Sequence, residues 1–134
     1  MTLYIDSSAL LKRYVDEADS DRADAILRSD GSLLTARHTV VEVRRNLARL
    51  LASSALSAAR AAFADDLAAI SIIELDPVTC EHAATIAETI GVRTLDALHL
   101  AAAQRIDAPG VSFVTFDIRQ AQAARTLGLT VVGT

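Results

Sequence analysis

Four carboxylates stand at places in the sequence where predicted strands and helices begin or end. Grouped carboxylates repel one another, so they stay ionised together only when a cation compensates their charge. A set of oxygen ligands suits Mg²⁺ or Mn²⁺ better than softer metals. The four residues are Asp6, Glu42, Asp96 and Asp117. If they converge in the fold, they form a candidate site for a divalent cation.

A divalent cation held by a few carboxylates keeps coordination positions that a phosphate can fill. Two such ions can activate a water and stabilise the leaving oxygen when a phosphodiester bond is cleaved. The five glycines are scattered and form no phosphate-binding loop, which disfavours nucleoside-triphosphate chemistry. No G-x-S-x-G motif occurs, and the one cysteine, Cys80, lies far from the acids in sequence. The residue types therefore favour metal-assisted hydrolysis.

Three of the four acids also have a purely structural interpretation. Thr39 and Glu42 form the T-x-x-E pattern of a capping box, in which the glutamate returns to the backbone N–H of the cap. Asp96 can complement the dipole of its helix, and Asp117 can be the N-cap of the last helix. Each acid alone is weak evidence for a site, so the metal hypothesis depends on the set.

A capping role explains Asp6 less well than the other three acids, because either of the two serines that follow it can begin the helix without it. Either Ser7 or Ser8 is a suitable N-cap for the helix predicted at 9–15. We expect Ser8 to start the helix and Ser7 to face the site. Asp6 then stands at the C-terminal end of a buried strand, at the edge of an open α/β sheet where ligands bind.

The elements that must position these acids follow from periodicity and from helix start and stop signals. Strands are predicted at 2–5, 33–36, 71–75, 111–116 and 130–132, and helices at 9–15, 20–28, 39–52, 57–70, 76–91, 94–106 and 117–128. Asp76, followed by Pro77 in the first turn, is the predicted cap of the helix at 76–91, and Thr94 that of the helix at 94–106. Because helices intervene between all the strands, we expect a three-layer α/β/α fold with a central, mostly parallel sheet of about five strands. The C-terminal ends of the first and fourth strands then share one edge.

Length and composition set outer limits on the fold and on its partners. With 134 residues we expect one domain, 1–134, with the stretch 107–110 as a loop inside it. Hydrophobic residues make up 51% of the chain and aromatic residues only 4%, which favours closely packed helices. The formal charge of −4 argues against a protein that coats nucleic acid by bulk electrostatics, so any nucleic-acid contact must be local.

The sequence also predicts a compartment. A single cysteine excludes an internal disulfide framework and fits a reducing cytosol. No apolar run reaches membrane-spanning length, and the N-terminus lacks the pattern of a signal peptide. We therefore expect a cytoplasmic protein with no membrane contact.

Four stretches of the sequence resemble the motifs of a known family, the PIN domain, and within it the VapC-type toxins of bacterial type II toxin–antitoxin systems. The resemblance runs nearly from end to end, and the four motifs come in the right order. The last two are the most specific, because each matches over a long stretch. The stretches are "YIDSSALLKRYV", "TVVEVRRNL", "RTLDALHLAAA" and "FVTFDIRQAQAARTLGLTVV".

The resemblance implies a function and a set of site residues. In such proteins four acids bind Mg²⁺ or Mn²⁺ and cleave RNA phosphodiester bonds. Carried over to this sequence, the metal-binding and catalytic residues are Asp6, Glu42, Asp96 and Asp117, with the hydroxyls of Ser7 and Thr115 beside the metal.

The resemblance also implies partners. The protein would be a homodimer that a cognate VapB-type antitoxin inhibits by wrapping its C-terminal segment around the toxin. The toxin would contact promoter DNA only through the antitoxin. Its own nucleic-acid ligand would be the RNA substrate.

Basic and imidazole side chains near the acids have both functional and structural interpretations. Arg93, Arg44 and Arg45 are candidates for binding RNA phosphates, with Arg93 first because it lies just before Asp96, although a solvated helix face also explains them. His99 lies one turn after Asp96, but its apolar neighbours also fit a hydrogen-bonded, partly buried histidine, so it stays outside the predicted catalytic set.

Other function classes remain open at this point. A receiver-like phosphoacceptor domain also brings acids and Mg²⁺ to a strand edge, but it needs paired acids after the first strand and a late lysine, whereas the only lysine here is Lys12. A domain that binds without turnover is a further alternative, and so is a PIN ribonuclease outside toxin–antitoxin biology.

Overall fold

A computed structural model describes residues 1–29, 31–106 and 110–134. Twelve elements occur in the described part of the chain. The strands are β1 (Thr2–Ile5), β2 (Ser32–Ala36), β3 (Ser71–Ile73), β4 (Val111–Thr115) and β5 (Thr130–Gly133). The helices are α1 (Ser7–Leu11), α2 (Ser20–Arg28), α3 (Arg37–Leu50), α4 (Ser53–Leu67), α5 (Pro77–Ile90), α6 (Thr94–Gln104) and α7 (Ile118–Thr126). Of the loop predicted at 107–110, residues 107–109 lie outside the described residues.

The five strands form one parallel sheet in the order β3-β2-β1-β4-β5, which confirms the predicted α/β class. β1 is the central strand, with Leu3 opposite Leu33 of β2 and Ser112 of β4. The chain moves outward from β1 through β2 to β3 and then returns to the other side of β1 with β4. This reversal lies between β1 and β4, and ligands of open α/β sheets bind outside the C-terminal strand ends at such a point.

The core consists of two apolar layers, one on each face of the sheet. Because successive side chains of a strand point to opposite faces, Tyr4 packs in one layer while Leu3 and Ile5 pack in the other. The layer around Tyr4 includes Phe113 and the buried face of α6. The central strand therefore places a tyrosine under α6, the helix that carries Asp96.

Several helix starts differ from the sequence predictions. α1 begins at Ser7 with Asp6 as its N-cap, whereas Ser7 or Ser8 was the predicted cap. α3 begins at Arg37, so Glu42 lies in the second turn and the predicted capping box is wrong. Thr39 is instead buried, where its hydroxyl accepts a hydrogen bond from Thr35.

Two further helices shift at their ends. α4 begins at Ser53 and ends at Leu67, several residues before the predicted bounds, and Thr94 is the first residue of α6 and not its cap. The predicted caps of α5 and α7 are correct: the carboxylate of Asp76 accepts from Thr79 N, and α7 begins after Asp117. In the ranges that the structure describes, no helix is both long and apolar enough to cross a membrane.

Candidate functional site

Asp6 is a buried carboxylate at the C-terminal end of the central strand. Its backbone N–H still bonds to Val114 O of β4, and its side chain then turns to cap α1. Its Oδ1 accepts hydrogen bonds from Ala9 N at 3.0 Å and from Ser8 Oγ at 2.7 Å. Only 3% of the residue is exposed. The short link between β1 and α1 thus fixes this carboxylate tightly.

The electrostatic state of Asp6 reflects that burial. Burial raises the pKa of Asp6, while the charge of His99 and hydrogen bonds from Thr115, Ser8 and Ala9 act in the opposite direction. Among the described residues, Asp6 has no ion-pair partner. A carboxylate buried without a counter-charge is a position where a bound cation lowers the free energy.

Two hydroxyl groups connect Asp6 with Asp117 across the β1–β4 boundary. Ser8 Oγ lies 3.3 Å from Thr115 Oγ1 and also accepts from Phe116 N. Thr115 Oγ1 in turn accepts from Asp117 N at 3.1 Å. Ser8, and not Ser7, is therefore the serine that bonds with Asp6. The strand alternation that buries Thr115 places it in this network.

Asp117 and Asp96 face each other across one exposed guanidinium. Arg93 Nε lies 3.3 Å from Asp96 Oδ2, and Arg93 Nη2 lies 4.0 Å from Asp117 Oδ2. Gln120 also joins these two acids. Its backbone N–H donates to Asp117 Oδ1, and its side-chain amide donates to Asp96 O. The start of α7 and the start of α6 are therefore tied together at the site.

Glu42 is joined to the same region by a histidine. His99 Nε2 lies 2.7 Å from Glu42 Oε1, and His99 Nδ1 lies 2.7 Å from the hydroxyl of Tyr4. Tyr4 and His99 are almost fully buried, while 18% of the Glu42 side chain is exposed. Tyr4, His99 and Glu42 therefore form a polar chain that runs from the central strand to the surface.

Burial and hydrogen bonding act against each other at Glu42. Burial alone would raise the pKa of Glu42, but the hydrogen bond with His99, the charges of His99 and His38, and the Ser7 hydroxyl bring it below its ordinary value. His38 Nε2 lies 3.5 Å from Glu42 Oε1 and 3.2 Å from Leu95 O. Burial lowers the pKa of His38 to about 4, so His38 is neutral at pH 7. Because the pKa of Glu42 lies below its ordinary value of 4.5, Glu42 is ionised at pH 7.

Glu42 and Asp96 also line the same surface cleft of about 430 Å³. The cleft residues are Glu42, Arg93, Thr94, Leu95 and Asp96. Of the three arginines predicted to bind RNA, only Arg93 belongs to this set. Arg44 and Arg45 are exposed on α3 outside it.

The donor atoms at this edge fit a hard divalent cation. Asp6, Asp117 and Asp96 are linked through hydroxyl, guanidinium and Gln120 contacts, and Glu42 lines one cleft with Asp96. All four offer carboxylate oxygens, the ligands that Mg²⁺ and Mn²⁺ take. Among the described residues, the one group of three or more ligand atoms that all lie within 4.8 Å of one another is a mixed one, His38, Glu42 and His99. Imidazole nitrogens suit softer metals, so the carboxylate set is the better match for Mg²⁺.

Sequence reasoning missed three residues that shape the site. Ser8 was interpreted as a helix start only, although it follows Asp6 directly. Tyr4 and His38 were not among the predicted site residues. A signal for His99 existed, since residues three apart on a helix share a face and His99 follows Asp96 by three. Nothing in the sequence alone showed that Tyr4 lies under that face.

Known proteins resemble this chain over most of its length. The family model described as PIN domain matches residues 3–126. Ribonuclease VapC46 of Mycobacterium tuberculosis is 35% identical over 130 residues, which cover 97% of this chain and 95% of that relative.

Solved structures share the fold at lower sequence identity. VapC20 of Mycobacterium tuberculosis, described as a toxin that cleaves the sarcin–ricin loop, has a TM-score of 0.76 and 17% identity, with 98% of each chain covered. VapBC2 of Rickettsia felis, solved with a DNA fragment from its promoter, has a TM-score of 0.69 and 13% identity, again with 98% of each chain covered. The match of the family model over most of the chain, together with the curated relative, decides the family. The chain belongs to the PIN-domain family and, within it, to the VapC-type ribonucleases.

Proposed function

We propose that this chain is a Mg²⁺- or Mn²⁺-dependent endoribonuclease that acts as the toxin of a type II toxin–antitoxin system. The observation that carries the proposal is the linkage of three carboxylates near the edge where β1 and β4 end, with Glu42 beside Asp96 in one cleft. Asp6 is linked to Asp117 through Ser8 and Thr115, and Asp117 to Asp96 through Arg93. Membership of the PIN-domain family removes the receiver-like alternative.

The residues of the site have distinct roles in this proposal. The predicted ligand set and catalytic set are the same four acids, Asp6, Glu42, Asp96 and Asp117. When bound, the divalent cation supplies Lewis-acid activation of the attacking water and stabilises charge on the scissile phosphate. Asp6 is held most rigidly, because a backbone N–H and a serine hydroxyl both fix one of its oxygens.

Other side chains complete the site. The Thr115 hydroxyl lies beside Asp117, since it accepts a hydrogen bond from Asp117 N, and the Ser7 hydroxyl lowers the pKa of Glu42. Arg93 is exposed in the cleft, where its guanidinium is free to leave the acids and bind an RNA phosphate. Arg44 and Arg45 extend the positive surface along α3 and are weaker candidates for RNA contact.

The partners follow from the family. The relatives are named Ribonuclease VapC, and one similar structure is a VapBC complex bound to promoter DNA. We infer that this chain cleaves RNA in the cytoplasm as a single-domain homodimer, that a VapB-type antitoxin inhibits it, and that it contacts promoter DNA only through that antitoxin. The test is to coexpress the chain with the product of the gene immediately upstream of its own: a small DNA-binding antitoxin there should co-purify with the chain and abolish cleavage, and unimpeded cleavage would contradict the inference.

Cleavage of a fluorescent RNA by the purified chain tests the enzyme assignment. EDTA should abolish cleavage, and added Mg²⁺ or Mn²⁺ should restore it. Asp96→Asn should lose activity, whereas Asp65→Asn, which changes an exposed acid of α4, is the matched control and should retain it. Cleavage that is insensitive to EDTA, or full activity of Asp96→Asn, would refute the proposed site.

A further inference from the structure

A tyrosine hydroxyl, an imidazole and a carboxylate form a continuous hydrogen-bonded chain beneath the site. The Tyr4 hydroxyl lies 2.7 Å from His99 Nδ1, and His99 Nε2 lies 2.7 Å from Glu42 Oε1. Both nitrogens of His99 are therefore engaged, one on each side of the ring. These three residues come from three different elements, β1, α6 and α3.

The chemical nature of the end groups fixes the direction of this chain. An ionised carboxylate can only accept hydrogen bonds, so the contact at Glu42 requires a proton on His99 Nε2. A neutral imidazole then has an unprotonated Nδ1, which accepts a hydrogen bond from the Tyr4 hydroxyl. In an imidazolium, Nδ1 also carries a proton and donates a hydrogen bond to the oxygen of the Tyr4 hydroxyl. In both states His99 Nε2 donates to Glu42.

The packing of Tyr4 in the core fixes the inner end of this hydrogen-bonded chain. It lies in the central strand, is fully buried, and stacks on Phe113 with ring centroids 5.3 Å apart and planes 12° apart. A tyrosine held on both sides has no other rotamer to adopt without repacking the core. The direction of the His99 ring is therefore set by the sheet and not by the surface.

The second imidazole near Glu42 does not have the same role. His38 Nε2 lies 3.5 Å from Glu42 Oε1, beyond normal hydrogen-bonding distance, and its nearer contact is Leu95 O at 3.2 Å. Its other nitrogen, Nδ1, has no hydrogen-bond partner among the described residues. His99 is thus the imidazole that is tied both to Glu42 and to the core.

We propose that Tyr4 and His99 are positioning residues that aim the Glu42 carboxylate at the divalent cation through the chain Tyr4–His99–Glu42. This inference rests on the proposed function, because it takes Glu42 to be a ligand. Carboxylate ligands are commonly held by hydrogen bonds from outside the metal's own shell, and loss of such a partner typically weakens metal binding by about 10- to 100-fold. We expect about tenfold weaker Mn²⁺ binding when either link is removed.

Two measurements test the proposal on the full chain. The first is ¹⁵N NMR of the imidazoles in the EDTA-treated wild type, where only His38, His82 and His99 contribute. A proton on His99 Nε2 is expected, and a bare Nε2 would overturn the proposal. This test needs no variant and no activity.

The second measurement is Mn²⁺ affinity by electron paramagnetic resonance for Tyr4→Phe and His99→Gln. Tyr14→Phe is the matched control, because Tyr14 also donates a hydrogen bond to an acid, Asp66, but away from the site. Weaker binding in both site variants with an unchanged control supports the chain. Unchanged affinity in Tyr4→Phe overturns it.

Glu42→Gln separates this inference from the function on which it depends. If Glu42→Gln binds Mn²⁺ as the wild type does, Glu42 is not a ligand, and the proposed metal site fails at that residue together with the chain. If Glu42→Gln binds weakly while Tyr4→Phe and His99→Gln bind normally, the metal site stands and only the positioning chain is wrong.

Discussion

The carboxylates of Asp6 and Asp76 cap two different helices with the same backbone geometry. Asp6 has φ −82° and ψ 173° and accepts from Ala9 N at 3.0 Å. Asp76 has φ −79° and ψ 173° and accepts from Thr79 N at 2.9 Å. They differ in surroundings, because Asp6 is buried at the edge where β1 and β4 end and Asp76 pairs with Arg105 at the surface. A comparison of Asp6 with Asp76 therefore separates the role of an aspartate as a helix cap from a role in catalysis.

We predict that Asp6→Asn loses RNA cleavage while Asp76→Asn keeps it. Asparagine caps a helix about as well as aspartate, so both variants should fold. Loss of a partner outside the metal's own shell commonly costs 10- to 100-fold, so loss of a ligand should reduce activity by about 100-fold or more. The measurement is the initial rate of RNA cleavage, with circular dichroism to check the fold.

The result depends on the contrast between the two variants. Equal loss in both would indicate that capping, and not cation binding, is what activity requires of Asp6. Equal retention would remove Asp6 from the site.

Removal of the buried charge should also change how stability depends on pH. Burial raises the pKa of Asp6 above its ordinary value of 3.8, so the folded state holds this proton to higher pH than the unfolded state does. The stabilising contribution of Asp6 is then fully present below its ordinary pKa and is lost as the pH rises through the folded pKa. We predict that metal-free Asp6→Asn melts at or above the wild-type temperature at pH 7, and that its advantage shrinks toward pH 4.

Thermal melting in EDTA at several pH values measures this effect. The relevant quantity is the difference between wild type and Asp6→Asn, because the other acids titrate in both proteins. A wild type that is more stable than the variant at pH 7 without metal would contradict the prediction.

Metal binding should reverse that order of stability. A ligand that binds only the folded state at 100 times its dissociation constant stabilises it by about 2.7 kcal/mol. We predict a gain of this size for the wild type at such a Mn²⁺ concentration, and little or none for Asp6→Asn. Urea unfolding with and without Mn²⁺ gives both values, and an equal gain in the two proteins would place the cation elsewhere.

The sequence was sufficient for the fold class because its signals are local. Alternating helices and apolar strands predicted the parallel sheet, and Asp76 with Pro77 marked the start of α5 correctly. The motif order led to the right family. The order of strands in the sheet, by contrast, depends on packing between distant segments.

The site was harder to predict, because its contacts join residues far apart in the chain. Local rules favoured Thr39 as a cap. Its buried hydroxyl instead accepts a hydrogen bond from Thr35, and α3 starts two residues earlier. The contact between Tyr4 and His99 spans 95 positions, and no local pattern encodes it. That the four acids bind metal stays a prediction for the experiments above.

Arg93 should affect RNA binding more than metal binding. Its guanidinium lies between Asp96 and Asp117 but is largely exposed, and exposed ion pairs contribute only about 0.2–1 kcal/mol. We predict that Arg93→Ala changes Mn²⁺ affinity by less than about fivefold. It should raise the KM for RNA and lower the slope of log affinity against log salt by about 0.7, the value for one phosphate contact on a single strand.

Arg44→Ala is the matched control, because Arg44 is exposed on α3 outside the cleft. Its KM and its salt slope should change less than those of Arg93→Ala. A larger change in Arg44→Ala would move the RNA path from the cleft to α3.

Gly133 should be sensitive to substitution because it holds the end of β5 against Thr115. Its φ is +118°, and a Cβ there would clash with Thr115 O, a backbone atom, so no side-chain rotation can relieve the clash. Overpacking and the unfavourable φ together should make Gly133→Ala about 2–4 kcal/mol less stable. Because Thr115 bonds with Ser8 and with the N–H of Asp117, Mn²⁺ binding should weaken as well.

Gly128→Ala is the control: its φ is +83° with no atom within 4 Å, so it should lose only about 1 kcal/mol and bind Mn²⁺ normally. Urea unfolding and Mn²⁺ titration of both variants decide the matter, and equal losses of stability would mean that β5 yields without disturbing the site.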